Sequence, residues 1–268
     1  MMQGLFRYLG HGHPARTPVA RSPHPRGAAG RLPVPRWAAG RPAAAALTVL
    51  LSSAACLLAA ESLLTNGDFE RAAPGQAAQP LGWERPDGLG VQWITAPRTG
   101  TGGGGKAICM DTSRSERDMV ARWKAQGLTD WDIPDPAAGP IAATYGLSYY
   151  SKSIPVASGQ AYRVSFDYRS ETGSDGAKVW VRAYGEFRGR LTRRYETIVN
   201  CRVENAEWTH FTQVFHPTRV RPKCNSMKVM LYAYWPPGRY WFDNVRIEPI
   251  SNAEYDRERA AYNATRDE

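Results

Sequence analysis

The 268-residue chain is 11% aromatic and carries 25 glycines and 20 prolines, which excludes a disordered polymer and suits one domain of ordinary size with extensions. Its formal charge is +9, yet seven of its 34 basic residues (Arg7, Arg16, Arg21, Arg26, Arg31, Arg36, Arg41) and no acid precede residue 61, leaving 27 basic against 25 acidic residues in the rest. The excess belongs to the first 60 residues, and a nucleic-acid-binding purpose for it is unsupported.

Residues 1–60 are rich in Arg, Pro and Ala as far as Pro42, then run from Ala43 to Ala60 as an apolar stretch ending in small residues. That order reads as a signal peptide or export leader. Because 42 residues ahead of the apolar run is long for one, a start codon assigned too early and a retained anchor both stand as alternatives, the run being close to the ~17–20 residues that span a bilayer. Ser53-Ala-Ala-Cys56 is only a faint lipidation box.

From residue 61 to 250 the signals are all-β: short runs of Val, Ile, Tyr, Phe and Trp between Gly, Pro, Asn and Asp clusters. The pattern predicts strands at 63–70, 91–95, 106–111, 149–156, 161–169, 178–187, 195–203, 208–216, 228–234 and 240–248, which suit a two-sheet β-sandwich jelly roll. Broken alternation at Asp243-Asn244, inside an otherwise apolar last strand, predicts a bulge. The exception is a long insertion at 113–146, helical over 116–126 and Pro-rich over 130–140, read as a rim over a binding face or a decoration. Residues 251–268 form a charged tail, helical from a cap at Ser251 or Asn252. Cys109, Cys201 and Cys224 follow the leader. In an exported protein Cys201 with Cys224 is the expected disulfide, the other reading being three buried thiols.

Asn66-Gly-Asp-Phe-Glu70, Gly82-Trp83, a glycine turn before a short strand, Ser158-Gly-Gln-Ala-Tyr-Arg-Val-Ser-Phe-Asp-Tyr168, Trp208-Thr-His-Phe-Thr-Gln-Val-Phe215 and Tyr240-Trp-Phe-Asp-Asn-Val-Arg-Ile247 follow one another in that order. The series resembles the family 4/9/22 carbohydrate-binding modules, galactose-binding-like β-jelly rolls. The resemblance implies a structural Ca²⁺ where the first and last strands meet, held by Glu70, Asp243 and the main chain at Lys106. A hard cation takes six to eight oxygens, so a carboxylate from each chain end would tie the sandwich shut. The alternative is that Glu70 and Asp243 cap strand ends or meet an arginine.

A period of two places Val179, Val181 and Ala183 on one side of their strand and Trp180, Arg182 and Tyr184 on the other. Flat rings beside a fixed donor fork suit a sugar, whose C–H face stacks while its hydroxyls hydrogen-bond. Tyr232 and Tyr234 fall outward by the same count, as do Asp167 and Arg169, and these seven residues together are the expected glycan-binding face. Asp167 is acidic where some sugar-binding members carry an aromatic platform, which implies a shifted site, a charged ligand or no sugar. The other reading buries these rings under the 113–146 insertion as a second small core, and Trp123 and Trp131 suit either outcome.

Three enzyme-like motifs fail. Gly100–Lys106 nearly spells a phosphate loop, but Ala107 replaces the required hydroxyl and no helix-forming run follows. Glu254, Asp256 and Glu258 alternate like the carboxylates of some jelly-roll glycosidases, but on a helix. His210 and His216 lack a nucleophile or metal-ligand partner at recognisable spacing. The expectation is an exported, non-catalytic carbohydrate-binding domain, secreted, periplasmic or at the cell surface. It would act as a monomer on a polysaccharide or oligosaccharide, without nucleic acid and, once the leader is cleaved, without membrane. A structural or adhesive domain holding a protein partner is the alternative, and a jelly-roll glycosidase or lyase the third reading; paired carboxylates in a groove would favour the last.

Overall fold

The computed structural model describes residues 61–97, 105–128, 133–173, 176–221 and 223–264, all within the second of two compact units, Cys56–Glu268. The expected leader, the glycine run through Gly104 and Trp131 lie outside the described residues. In chain order the strands are β1 (Ala72–Ala73), β2 (Gln76–Pro80), β3 (Val91–Thr95), β4 (Lys106–Asp111), β5 (Leu147–Tyr150) and β6 (Ile154–Pro155). There follow β7 (Ala161–Ser170), β8 (Ala177–Phe187), β9 (Arg190–Asn200), β10 (Thr209–Phe215), β11 (Ser226–Ala233) and β12 (Arg239–Ile250). The helices are α1 (Glu116–Ala125), the single turn α2 (Pro217–Val220) and α3 (Asn252–Ala264).

Two antiparallel sheets face each other, as the β-sandwich expectation requires. Sheet I runs β10-β7-β12-β4-β3 and sheet II runs β5-β11-β8-β9, with β6 also on β11. Alternation fills the space between them: Ile108, Tyr168 and Phe242 from sheet I and Val179, Val181, Val229 and Leu231 from sheet II are fully buried. Each such side chain contributes about 1.5–3 kcal/mol of apolar burial.

The segment 63–70 is not a strand. Asn66 and Phe69 both sit at φ 56, a left-handed conformation no ladder accepts. Asn66 closes the resulting turn by accepting from the Arg71 amide (2.8 Å) and donating to the carbonyls of Arg71 (3.0 Å) and Leu81 (3.1 Å). The two ends of the sandwich nevertheless meet, through Leu63 N–H to the Ile247 carbonyl (2.7 Å) and Val245 N–H to the Gly67 carbonyl (2.9 Å). A Cβ on Gly67 would lie 1.7 Å from the Val245 carbonyl oxygen, so only glycine permits this approach. The expected bulge is present: β12 slips register against β7 between Asp243 and Arg246, with Asn244 at φ 50.

The expected strand 149–156 is split at Ser151, whose amide still donates to the Val229 carbonyl (3.0 Å) but whose hydroxyl, not its carbonyl, accepts from the Val229 amide (2.9 Å). In the insertion, α1 begins at Ser115, whose hydroxyl accepts from the Asp118 amide (3.1 Å). Met119 and Val120 bury its inner face. The Asp87 carboxylate accepts from the amides of Leu89 (2.7 Å), Gly90 (2.7 Å) and Val91 (3.0 Å) and from Trp123 Nε1 (3.2 Å), while Arg122 Nε donates to the Asp87 carbonyl (2.8 Å). The insertion is thus pinned to the 87–90 loop, and Trp123 is a fastening rather than a sugar platform. Removing a buried acceptor strands its donors. Asp87→Ala is expected to lower unfolding free energy by about 3 kcal/mol, checked by urea denaturation.

Helix α3 starts from Ser251, whose hydroxyl accepts from the Glu254 amide (3.1 Å). Glu254 and Glu258, one turn apart, both bind Arg163, and Asp256 binds Arg219. Glu254 and Glu258 hold the helix to β7 of sheet I and Asp256 holds it to α2, while Tyr255 packs on Ala161, Val214 and Ile250. Among the described residues no helix is long and apolar enough to cross a membrane.

The expected Cys201–Cys224 disulfide is absent: Cys109, Cys201 and Cys224 are all free and buried. The reason is placement. Cys201 donates its amide to the Ala177 carbonyl at the start of β8 (3.1 Å), whereas the neighbour of Cys224, Asn225, donates to Tyr184 near the other end (2.9 Å). Seven residues of strand separate the two by roughly 23 Å, far beyond bridging range. Burial raises all three thiols, Cys109 to about 12. None of the three is expected to react with iodoacetamide at pH ~8 until the domain is unfolded, as mass mapping of the labelled peptides would show.

Candidate binding face and closure site

Strand β8 presents the side chains that alternation assigned to its outer side. Register sets Lys178 between Tyr232 and Asn200, Trp180 between Met230 and Ile198, Arg182 between Lys228 and Glu196, and Tyr184 between Ser226 and Arg193. The inward set, Val179, Val181 and Ala183, is fully buried.

Trp180 is on this face but only 9% exposed, because the Arg182 guanidinium lies 4.6 Å over its ring. Arg182 also meets Glu196 (3.4 Å) and the Tyr150 hydroxyl (3.4 Å), so the pair is a fixed donor mounted on an aromatic base. Burial raises the Tyr184 hydroxyl, which is half-buried. Open aromatic surface lies farther along: Tyr232 and Tyr234 are half-buried and stacked 5.5 Å apart at 18°, with Lys178 Nζ 5.1 Å over Tyr234. Next to them Trp235 is 54% exposed, and Tyr145, whose carbonyl accepts from the Tyr232 hydroxyl (3.1 Å), is 50% exposed. Sequence reasoning missed Trp235 and Tyr145 because both lie outside strands, where period two says nothing. The Trp-Pro-Pro-Gly run that follows Tyr234 is the signal that could have found the first.

Asp167 and Arg169 do not share this face. Both are on β7, in sheet I, and point from the opposite side of the sandwich. Alternation separates the two sides of a strand but not the sheet to which a strand belongs. Arg169 donates to the Ala206 carbonyl (2.7 Å) and stacks on Trp241 (5.0 Å). Asp167 meets His210 Nδ1 (2.7 Å), a partner 43 positions away that spacing did not disclose, and accepts from Asn244 Nδ2 (2.8 Å). His216 instead caps α2, its Nδ1 accepting from the Arg219 amide (3.2 Å), and burial lowers its pKa.

At the chain ends Glu70, Lys106 and Asp243 converge. Glu70 Oε1 accepts from the Lys106 amide (2.8 Å) and occupies the space a side chain at Gly105 would take, 1.7 Å from that Cβ position. Asp243 sits at the bulge, its Oδ1 accepting from the Asn244 amide (2.7 Å). Burial raises its carboxyl to about 7, with Asp167, Glu70 and Asp68 adding negative field. The donors are all oxygen. Among the described residues no group of three or more His, Cys, Asp or Glu side chains is arranged to hold a metal, so a cation here would need main-chain carbonyls and water for most of its shell.

No protein-family model matches the sequence. No curated protein matches it either. Solved structures similar to the chain include a family 4 carbohydrate-binding module (16% identity, 70% of this chain and 99% of that one, TM-score 0.37). A second is the CBM22-1 xylan-binding domain of Xyn10C from Paenibacillus barcinonensis (13%, 72% and 97%, TM-score 0.38). A third is the arabinose-bound α-L-arabinofuranosidase MgGH51 (18%, TM-score 0.42), of which the match covers 26% against 71% of this chain.

Proposed function

We propose that this sandwich is an exported, non-catalytic module that recognises a glycan on the outer face of sheet II. The observation that carries the reading is the composition of that face: stacked Tyr232 and Tyr234 at one end, and the Trp180–Arg182 pair with Lys228 at its centre. Rings offer flat apolar surface to pyranose C–H groups, and the cations between them donate to hydroxyls. Export is supported by the sequence of residues 1–60.

Calcium is proposed at the closure, with Glu70, Asp243 and the main chain at Lys106 as donors. The fit rests on a donor set made only of oxygens and on the crowding of carboxylates about Asp243, where Asp167, Glu70 and Asp68 add negative field. Bound there, the ion would join the two chain ends, and the protein's own part is to hold Glu70 on the Lys106 amide and Asp243 at the bulge.

A glycan array probed with the full chain, Trp180→Ala, Tyr184→Ala and Tyr234→Ala tests the reading. Binding by the wild type and a loss of about tenfold or more in Tyr234→Ala are expected. Silence of the wild type across neutral and acidic glycans would replace it with the protein-partner reading. One observation favours hydrolysis as a second reading: Asp167 and Asp243 lie directly opposite each other on β7 and β12, with His210 beside Asp167. Reducing sugar released by the wild type but not by Asp243→Asn would establish it.

A further inference from the structure

Past Tyr184, sheet II narrows to a two-stranded ribbon. Strand β11 begins at Ser226, opposite Tyr184, so residues 185–187 of β8 and 190–192 of β9 have only each other as ladder partners. Three residues of strand carry this ribbon roughly 10 Å beyond the sheet. Register pairs Phe187 with Arg190 on one side of it and Glu186 with Leu191 on the other. Neither apolar side chain is covered: Phe187 is 46% exposed and Leu191 69%. The tip thus holds an apolar group on each side that the core of the sandwich does not reach.

Cations gather on the Phe187 side. The Arg188 and Arg194 guanidinium groups are 5.2 and 4.9 Å from the Phe187 ring centre, and Arg190 projects beside it. The segment with Arg221 and Lys223 lies against the same side at Gly185, where a Cβ would be 2.0 Å from the Lys223 carbonyl oxygen. The fields of Arg194 and Arg221 both reach the Cys224 thiol. Glu186 is the one acid of residues 184–194. Among the described residues none of these five cations is in an ion pair, whereas Arg193, on the other side, is held by Glu196 at 3.0 Å. Arg188 and Gly189 make the turn at φ 51 and 73. Such a turn favours Asn, Asp or Gly at its first position, so an arginine kept there points to a use for its side chain. A cleft of about 470 Å³ lined by Glu186, Phe187, Arg188, Lys223 and Asn225 opens beside it.

We propose that this hairpin is a membrane-surface contact. Its tip enters the headgroup layer of an anionic phospholipid bilayer, with Phe187 and Leu191 reaching the acyl boundary and the five cations meeting lipid phosphates. The cleft admits a headgroup beside Arg188 and Lys223. A bilayer interface offers apolar chains and negative charge at adjacent depths, which is what apolar side chains beside cations on a projecting tip require. A soluble acidic polymer would answer the cations and leave Leu191 in water. An apolar protein surface would answer Leu191 and bury the arginines unpaired. Tyr232 pairs with Lys178 at the opposite end of β8, so the contact does not rest on the glycan reading and leaves the aromatic end of the sheet away from the bilayer. It departs from the expectation of a domain without membrane.

The test is hydrogen–deuterium exchange of the full chain with lipid vesicles, read on the peptide spanning residues 184–194 so that attachment through residues 1–60 does not enter the readout. Phosphatidylglycerol vesicles are expected to slow exchange of that peptide about tenfold at ~0.1 M salt and far less at ~0.5 M, and phosphatidylcholine vesicles to leave it unchanged. The double variant Arg188→Asn, Arg190→Thr suits its turn and strand positions, so its other peptides should exchange as in the wild type. It should need about thirtyfold more phosphatidylglycerol for the same slowing. Leu191→Ser keeps every charge and should need about tenfold more. Equal slowing by the two lipids, or an unchanged lipid requirement in the double variant, would overturn the role of the cations. An unchanged requirement in Leu191→Ser would overturn insertion of the tip. Slowing by polyphosphate but not by vesicles would replace the membrane with an acidic polymer. No slowing by any of them would overturn the contact altogether, while the glycan reading stands or falls on its own array.

Discussion

Trp83→Ala is expected to lower unfolding free energy by about 4 kcal/mol, within the 3–5 kcal/mol range of large-to-small aromatic core substitutions. Trp83 is completely buried and parallel to Tyr149 (5.6 Å between ring centres, 3° between planes), with Phe69 tilted at 4.8 Å. Its Nε1 donates to the Asn66 carbonyl (3.2 Å), and its backbone bridges Ser151. One side chain therefore joins the 63–70 turn to sheet II, and truncation opens a cavity and removes one of the two hydrogen bonds that the Asn66 carbonyl accepts, the other coming from the Phe69 amide (3.1 Å). At roughly 2–4 °C per kcal/mol for a domain of this size, the melting temperature should fall by about 10 °C. Trp83→Phe, which keeps a ring against Tyr149 but not the hydrogen bond, should lose less than half as much. A loss below about 1 kcal/mol in Trp83→Ala would mean that the turn is held chiefly by its backbone contacts to β12.

How much of this was legible depends on what each signal measures. Alternation is a local property, so the strands from β7 to β12 and the inward set of β8 could be read, although β9 (Arg190–Asn200) starts five residues before the expected 195–203, and the break at Asp243-Asn244 announced its bulge. The segment 63–70 misled because its apolar residues fit a strand while Asn66 and Phe69 adopt positive φ, a choice made by contacts with Leu81, Trp83 and β12 rather than by neighbours in sequence. The division of the expected face into two followed from the same limit: Asp167 and Trp180 both point outward, but sheet membership is decided by pairing over long range. The β1–β2 pair is short and mostly exposed, without an apolar stripe to reveal it. A net charge of +2 after the leader suggested no charged surface, because an average over some 200 residues conceals a hairpin with four arginines.

Chelation is expected to lower the melting temperature by roughly 5–10 °C, since an ion at a hundred times its dissociation constant adds about 2.7 kcal/mol. The decisive comparison is Asp243→Asn with and without calcium. The variant keeps an oxygen to accept from the Asn244 amide, so the bulge should survive, but it loses the charge that would hold the cation. In calcium it should therefore melt below the wild type. In chelator the order should reverse or vanish, because burial and the fields of Asp167, Glu70 and Asp68 all act against a charged Asp243, and an amide carries no such penalty. Glu70→Gln should likewise lose its response to calcium. If Glu70 and Asp243 serve only as hydrogen-bonding caps, the wild type will melt identically in calcium and in chelator, and Asp243→Asn will sit at one fixed offset from it in both. The crossing of the two curves, rather than the size of either shift, separates a metal-closed sandwich from one closed by Glu70, Gly67 and the Asn66 turn alone.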